Sequence, residues 1–429
     1  MNLEQIINSQ KLELERFFQN TKIIKRENDF LEKNWRNKLA KVILWPRRAW
    51  KSTYVLSFLK EKKFSYLNFD DERLDLQNLD TDKLLSVILK NNPDYIFFDE
   101  IQNLSNWHIF VNRLLRNWLN LILTGSNSNL LSQEFGTYLT WRYLSTSIYP
   151  FSFKEFLLAR WFEFKPENLV DGIYKSQFLG FVEEFLQNGW FPDIVVNKIE
   201  PKLYLETLVD NILTKDLFFR YKIKYIHLLK KLLVLLYSNF TKQFSFQNLK
   251  KTLQVNSIQT LQKYVFYLQQ VYLIDVVDKF SFSEYKKQKY NKKLFSIDNG
   301  LVNYVWSSNF WENKWKLFEN FIFSELKKKN YGIYFYQDSN LKVECDFLIE
   351  GRIRWNIQVK SDERELTAIQ VCYELNQENK KRELAWLYHT MKKFDCNGFV
   401  LTLNQNQEEK YLDKKLKVIS FDKFLINYL

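Results

Sequence analysis

At 429 residues with 46% apolar content, the chain is too long for one ordinary domain and rich enough in apolar residues to bury a large core. It has no run of about 18 uncharged apolar residues, which excludes a helical membrane span, and its three cysteines and three histidines lie too far apart for a zinc site or a disulfide framework. The net charge of +13 has two readings: a lysine-rich solvated surface, or affinity for nucleic acid.

Residues 1–38 read as one or two helices, a leader without a signal-peptide core, and a cytoplasmic protein is expected. Lys41–Leu44 reads as a β-strand. The tight segment Trp45-Pro46-Arg47-Arg48-Ala49-Trp50 follows, and Lys51-Ser52-Thr53 opens a helix. Strand, loop and Lys-Ser at a helix start is the layout of a phosphate-binding P-loop. The spacing is that of G-x-x-x-x-G-K-[ST], with Trp45 and Trp50 where the glycines belong. Such a loop wraps phosphate with backbone N–H groups, at positive φ and with bare backbone against the ligand. Tryptophan supplies neither. Lys51 would still reach the β/γ-phosphates of ATP, and Ser52 would hold Mg²⁺.

Composition suggests a way out. The chain has 9 Gly and 13 Trp, where about 30 glycines are the ordinary share. Trp45, Trp50, Trp118, Trp141 and Trp190 all stand where turn chemistry asks for glycine. One expectation is that some are UGA codons, written as tryptophan but read as glycine, as in some bacterial lineages. Trp107 reads as a true tryptophan. The alternative is a drifted ATPase relic that no longer binds nucleotide.

Phe64–Phe69 alternates as a strand, and Thr81–Lys90 reads as a helix. Asp94–Phe98 is a bulky apolar run that ends in Asp99-Glu100. Continuous apolar runs fit strands buried on both faces of a parallel sheet. His108–Asn117 is a helix, and Leu119–Leu123 a second buried strand ending in Thr124-Gly125-Ser126-Asn127. This alternation predicts a doubly wound α/β domain with ligands at the carboxyl ends of its strands. Asp99 is then placed to hold Mg²⁺ through water and Glu100 to polarise an attacking water. Asn127 would sense the γ-phosphate, and Arg142 would reach a phosphate.

Taken in order, LWPRRAWKST, YLNFDDERL, IFFDEIQNLSNWHIFVNRLL, LILTGSNSNLLSQEF and YLTWRYLSTSIYPFSFKEFL resemble a family of prokaryotic AAA-like ATPases. In that family an ATPase module precedes a C-terminal domain of uncharacterised function. The family pattern reads GPRRxGKT, LDEIQ, LTGS and LTGRY. The departures here are Trp for Gly at 45, 50 and 141, and Ser52 for Thr. The resemblance covers about residues 35–425. It implies a P-loop parallel sheet, ATP with Mg²⁺, and an ATPase core at 39–160.

Beyond the core, 161–240 reads as a helical lid or linker, with Gly189-Trp190-Phe191-Pro192 resembling a family GGFP turn. Residues 241–309 read as a winged helix: helices Phe246–Leu253 and Ile258–Gln270, strands Leu273–Phe280 and Lys293–Ile297, and a basic turn between the strands. Gln259, Gln262 and Lys263 on the second helix would meet a DNA major groove; a protein-binding or spacer role is the alternative.

Residues 310–429 resemble the α/β restriction-nuclease core named PD-(D/E)xK. Glu319 lies on a helix, Asp346 on a strand, and Gln358 and Lys360 on the next. There the acids hold Mg²⁺ and the lysine acts on the water. Gln358 stands at an acid's place, so a nuclease-like scaffold competes with a working nuclease. Trp315 matches a family glycine. Three functions follow: an ATP-driven switch, a metal-dependent DNA nuclease regulated by the ATPase, or an adaptor for DNA or protein with a degenerate P-loop.

Overall fold

The computed structural model describes residues 2–44, 47–125, 139, 142–218, 221–283, 291–305, 310–351 and 366–427. The chain divides into two compact units: Met1–Phe162 with Phe191–Lys198, and Glu163–Trp190 with Ile199–Leu429.

The first unit is built on a five-stranded parallel sheet ordered β2-β3-β4-β1-β5. Its strands are β1 (Ala40–Leu44), β2 (Phe64–Asn68), β3 (Tyr95–Asp99), β4 (Leu121–Gly125) and β5 (Tyr143–Ser147). Strands β1, β3 and β4 are buried along their whole length because both faces are covered. Successive side chains of β3 serve opposite cores. Ile96 and Phe98 pack with Val42, Leu123 and Phe110, while Tyr95 and Phe97 pack with Ile43, Val55 and Ile122.

Helix α1 (Leu3–Asn20) opens with a capping box between Asn2 and Gln5. It reaches the edge strand β2, where Gln10 accepts from the Asn68 N–H at 2.9 Å and donates to Asp71 at 2.8 Å. After α2 (Phe30–Asn34), α3 (Lys51–Leu59) leaves the end of β1; α4 (Thr81–Leu89) and α5 (Trp107–Arg116) follow, and α6 (Phe153–Ala159) closes the run.

Both α5 and α6 end in the same way. The Trp118 N–H bonds Leu115 O at 3.1 Å and the Leu119 N–H bonds Leu114 O at 3.3 Å. The Trp161 N–H bonds Leu158 O at 3.2 Å and the Phe162 N–H bonds Leu157 O at 2.9 Å. These are Schellman pairs, in which the residue after the cap turns left-handed and is usually glycine. Here that residue is Trp118 (φ 58°) or Trp161 (φ 59°), 72% and 84% exposed.

The second unit holds two sheets. A three-stranded sheet ordered β6-β8-β7 joins Gln243–Phe244, Lys292–Ser296 and Ile274–Val277, all antiparallel. The helices Phe246–Leu253 and Ile258–Gln270 lie between β6 and β7 in the chain, each capped by a serine (Ser245, Ser257). The basic turn expected after β7 lies outside the described residues. A six-stranded mixed sheet runs β13-β14-β12-β11-β10-β9. Its members are β9 (Gly332–Asp338), β10 (Val343–Glu350), β11 (Leu366–Val371), β12 (Asn397–Thr402), β13 (Gln407–Tyr411) and β14 (Lys414–Ser420). The strand expected at 356–360 also lies outside the described residues; β11 is the strand that pairs with β10 on the side away from β9. No described helix is long and apolar enough to cross a membrane.

Candidate functional site

The phosphate-loop segment runs from the end of β1 into α3. Trp45 and Pro46 lie outside the described residues. Arg47 is half-buried, Arg48 is exposed at φ 69°, and Ala49 is buried. Trp50 caps α3 in a left-handed conformation (φ 59°, ψ 42°). The loop therefore does place positive φ where glycine is expected, and a tryptophan carries it. Its indole N–H donates to Asp193 at 3.1 Å, and its ring lies edge-on to Phe151. Trp190 is different: it is fully buried, stacked on Phe185, with its indole N–H on Ile297 O at 3.0 Å, and its φ is not positive. Trp315 lies within the helix Phe310–Lys328. Neither position asks for glycine. Trp141 lies outside the described residues. Trp107 is buried at the head of α5, as befits a true tryptophan.

Lys51, Ser52 and Thr53 form the first turn of α3, at the positive end of the helix dipole. Lys51 is 5% exposed, and its ammonium is 3.3 Å from Glu100 Oε1. Ser52 hydrogen-bonds the Asp99 carboxylate. Thr124, on β4 between β1 and β3, donates its hydroxyl to Asp99 Oδ1 and accepts the Glu100 N–H at 3.1 Å. Glu100 is itself left-handed (φ 53°) and receives the Gln102 amide at 2.5 Å. Lys51, Ser52, Asp99 and Glu100 thus meet at the carboxyl ends of β1 and β3, bridged by Thr124 of the intervening β4.

Burial raises the Asp99 carboxyl above its ordinary range, the nearby Glu100 adds to this, and Ser52, Thr124 and Lys51 oppose it. A buried carboxylate short of positive charge suits a divalent cation, so these residues fit Mg²⁺. A cavity of about 540 Å³ adjoins the first turn of α3, lined by Ser52, Thr53, Tyr66, Asn68, Asp71 and Arg73 among others.

One expected member is not brought to this point, and another falls among residues not described. Asn127 lies outside the described residues. Arg142 precedes β5, whose Tyr143 pairs with Ala40 and whose Ser147 pairs with Leu44. Parallel register therefore puts Arg142 at the opposite end of the sheet, a strand length of roughly 15 Å from the loop. The expectation that it reaches a phosphate in this chain is corrected. Conversely, sequence reading passed over Thr124 and Arg26. Arg26 donates to Ala49 O at 3.2 Å and to Tyr149 O, and pairs with Glu155 at 3.0 Å, so it ties the loop to the start of α6. A lone arginine in a polar leader carries no motif that would announce this.

In the second unit Glu319 and Asp346 do come together, around a residue that sequence reading did not choose. The Lys293 ammonium lies 2.7 Å from Glu319 Oε1, 3.0 Å from Asp346 Oδ1 and 3.4 Å from Glu344 Oε1. Gln358 and Lys360 lie outside the described residues.

The AAA domain family matches residues 37–157, and two domains of unknown function, DUF8612 and DUF4143, match 181–311 and 315–407. The chain is 34% identical over 410 residues to the uncharacterized protein MJ1544 of Methanocaldococcus jannaschii, covering 90% of this chain and 88% of that one. It is 29% identical to an uncharacterized protein of Haemophilus influenzae, covering 68% of this chain and 75% of that one. Among solved structures, the Walker-type ATPase PABY2304 of Pyrococcus abyssi aligns at 18% identity with a TM-score of 0.40, over 66% of this chain and 96% of that one.

Proposed function

The chain belongs to the family of the uncharacterized protein MJ1544 and carries an AAA P-loop ATPase domain ahead of two domains of unknown function; from that premise we propose that it is an ATP-binding, ATP-hydrolysing switch. The observation that carries this is the convergence of Lys51, Ser52, Asp99, Thr124 and Glu100 at one end of the parallel sheet. Lys51 and the first-turn N–H groups of α3 receive the β/γ-phosphates. Ser52 and Asp99 would hold Mg²⁺, which supplies charge neutralisation on the phosphate oxygens. Lys51 pairs with Glu100 at 3.3 Å. Phosphate draws the lysine away and leaves the glutamate to orient and deprotonate the attacking water. Thr124 holds Asp99 and the Glu100 backbone in register for both tasks.

This reading takes glycine at 45 and 50 in the cell. The left-handed backbone at Trp50, and the same backbone at Trp118 and Trp161 in glycine-favouring helix ends, support it. Hydrolysis is proposed to act on the winged-helix part (241–309) and the nuclease-like part (310–429) through the helical linker 161–240. Gln262 and Lys263 are exposed on the helix proposed to meet DNA. If tryptophan is genuine at 50, the Trp50 contacts to Asp193 and Phe151 favour a second reading, an adaptor that does not bind nucleotide.

The test is ATP turnover by the full chain carrying Trp45→Gly and Trp50→Gly. Glu100→Gln in that background is expected to lower kcat by about 10²-fold or more, the usual share of a general base, and to leave ATP–Mg²⁺ binding intact. Unchanged turnover would remove Glu100 from the mechanism.

A further inference from the structure

Glu319 and Asp346 are the two carboxylates that the nuclease-like resemblance would assign to Mg²⁺, and their surroundings do not fit that ion. We infer that Lys293 is the resident cation of this pocket, so that no divalent metal binds there and the site acts as an ionic clamp.

The pocket is built from three elements. Lys293 comes from β8 of the three-stranded sheet, Glu319 from the helix Phe310–Lys328, and Glu344 and Asp346 from β10 of the six-stranded sheet. The register of β10 against β9 shifts between Cys345 and Leu348. Such a bulge re-aims a side chain, and the residues within it are Asp346 and Phe347. The other carboxylate oxygen of Asp346 accepts the Val371 N–H at 3.0 Å, which fixes the carboxylate. The Lys293 side chain is 2% exposed and that of Glu319 6%.

Lys293 donates to Asp346 at 3.0 Å, is ion-paired with Glu319 at 2.7 Å, and makes a longer contact of 3.4 Å to Glu344. Mg²⁺ demands oxygens at about 2.0–2.1 Å in octahedral array. Admitting it would set a dication beside a buried ammonium, or expel that ammonium from between its carboxylates. Lys293 remains charged there: burial pulls its pKa down, and Asp346, Glu319 and Glu344 together hold it well above its ordinary value. Among the described residues no group of three His, Cys, Asp or Glu side chains is disposed to hold a metal ion. The lysine's role follows from its origin. It is the charged link by which β8 is fastened to β10, so the clamp joins the three-stranded and six-stranded sheets into one unit. This inference stands apart from the nucleotide reading of the first unit and excludes the metal-dependent nuclease at Asp346.

The experiment is Mn²⁺ titration of the nucleotide-free full chain, read by calorimetry and by the electron-spin signal of free Mn²⁺. Wild type and Asp346→Asn are expected to give the same isotherm. Lys293→Met is expected to gain one Mn²⁺ site per chain, and Lys293→Met with Asp346→Asn to lose it again. A wild-type Mn²⁺ site that disappears in Asp346→Asn overturns the inference, and so does a folded Lys293→Met that gains none. Should Lys293→Met not fold, the comparison of wild type with Asp346→Asn still decides.

Discussion

Left-handed backbone costs an L-residue roughly 1–2 kcal/mol, and Trp118 and Trp161 carry it at the surface, where their rings recover little by burial. At Trp161 the Lys22 ammonium lies 3.6 Å from the ring centroid, a contact worth about 0.5–1 kcal/mol when exposed. Trp118→Gly is therefore expected to stabilise the chain by about 1 kcal/mol, and Trp161→Gly by less; urea unfolding measures both. Loss of stability in both would show that the rings are wanted there. The same argument predicts TGA at codons 50, 118 and 161, and TGG at any of the three would defeat recoding at that position. Sequence composition pointed to Trp50 and Trp118 because each stands in a recognisable turn or loop. It passed over Trp161, whose role as a helix end depends on hydrogen bonds made by Leu157 and Leu158.

Elements were legible where burial is complete. The apolar runs in β1, β3 and β4 have both faces covered, so their sequence alone marks them as central strands of a parallel sheet. Arg142 was misplaced because a motif in linear order does not show which end of a strand it borders; only the pairing of Tyr143 with Ala40 does. Strands β12 to β14 were not anticipated, and β13 and most of β14 are polar enough to read as loop.

The turn after β8 carries a testable charge. Asp298 is fully buried, and burial raises its carboxyl from 3.8 to about 7, opposed by the Trp190, Leu301 and Gly300 amides and by Lys328. A raised folded pKa means that its contribution to stability is present below about 3.8 and is lost as pH climbs through about 7. At about 1.36 kcal/mol per unit, the loss is on the order of 4 kcal/mol. Thermal unfolding of Asp298→Asn should fall less than that of wild type between about pH 4 and pH 8. Parallel pH profiles would contradict the assignment.

At the scale of the whole molecule, an ATPase unit and a C-terminal unit share one chain, and each has its own ion-pair centre. In the first, Lys51 pairs with Glu100 beside Asp99 at the end of the parallel sheet. In the second, Lys293 fills its carboxylate pocket itself. The motif order let the first be read from sequence. The second was half-read, because Glu319 and Asp346 carry a resemblance while Lys293 is one of many lysines in a basic chain. Residues 1–38 lie within the first unit, where Arg26 holds the loop carbonyl of Ala49.

The most direct measurement is equilibrium binding of ATP–Mg²⁺ to the full chain with Trp45→Gly and Trp50→Gly, beside the same chain with Lys51→Ala. The account predicts saturable binding by the glycine form and its loss when Lys51 is removed. Absence of binding by the glycine form, or equal binding without Lys51, would contradict it.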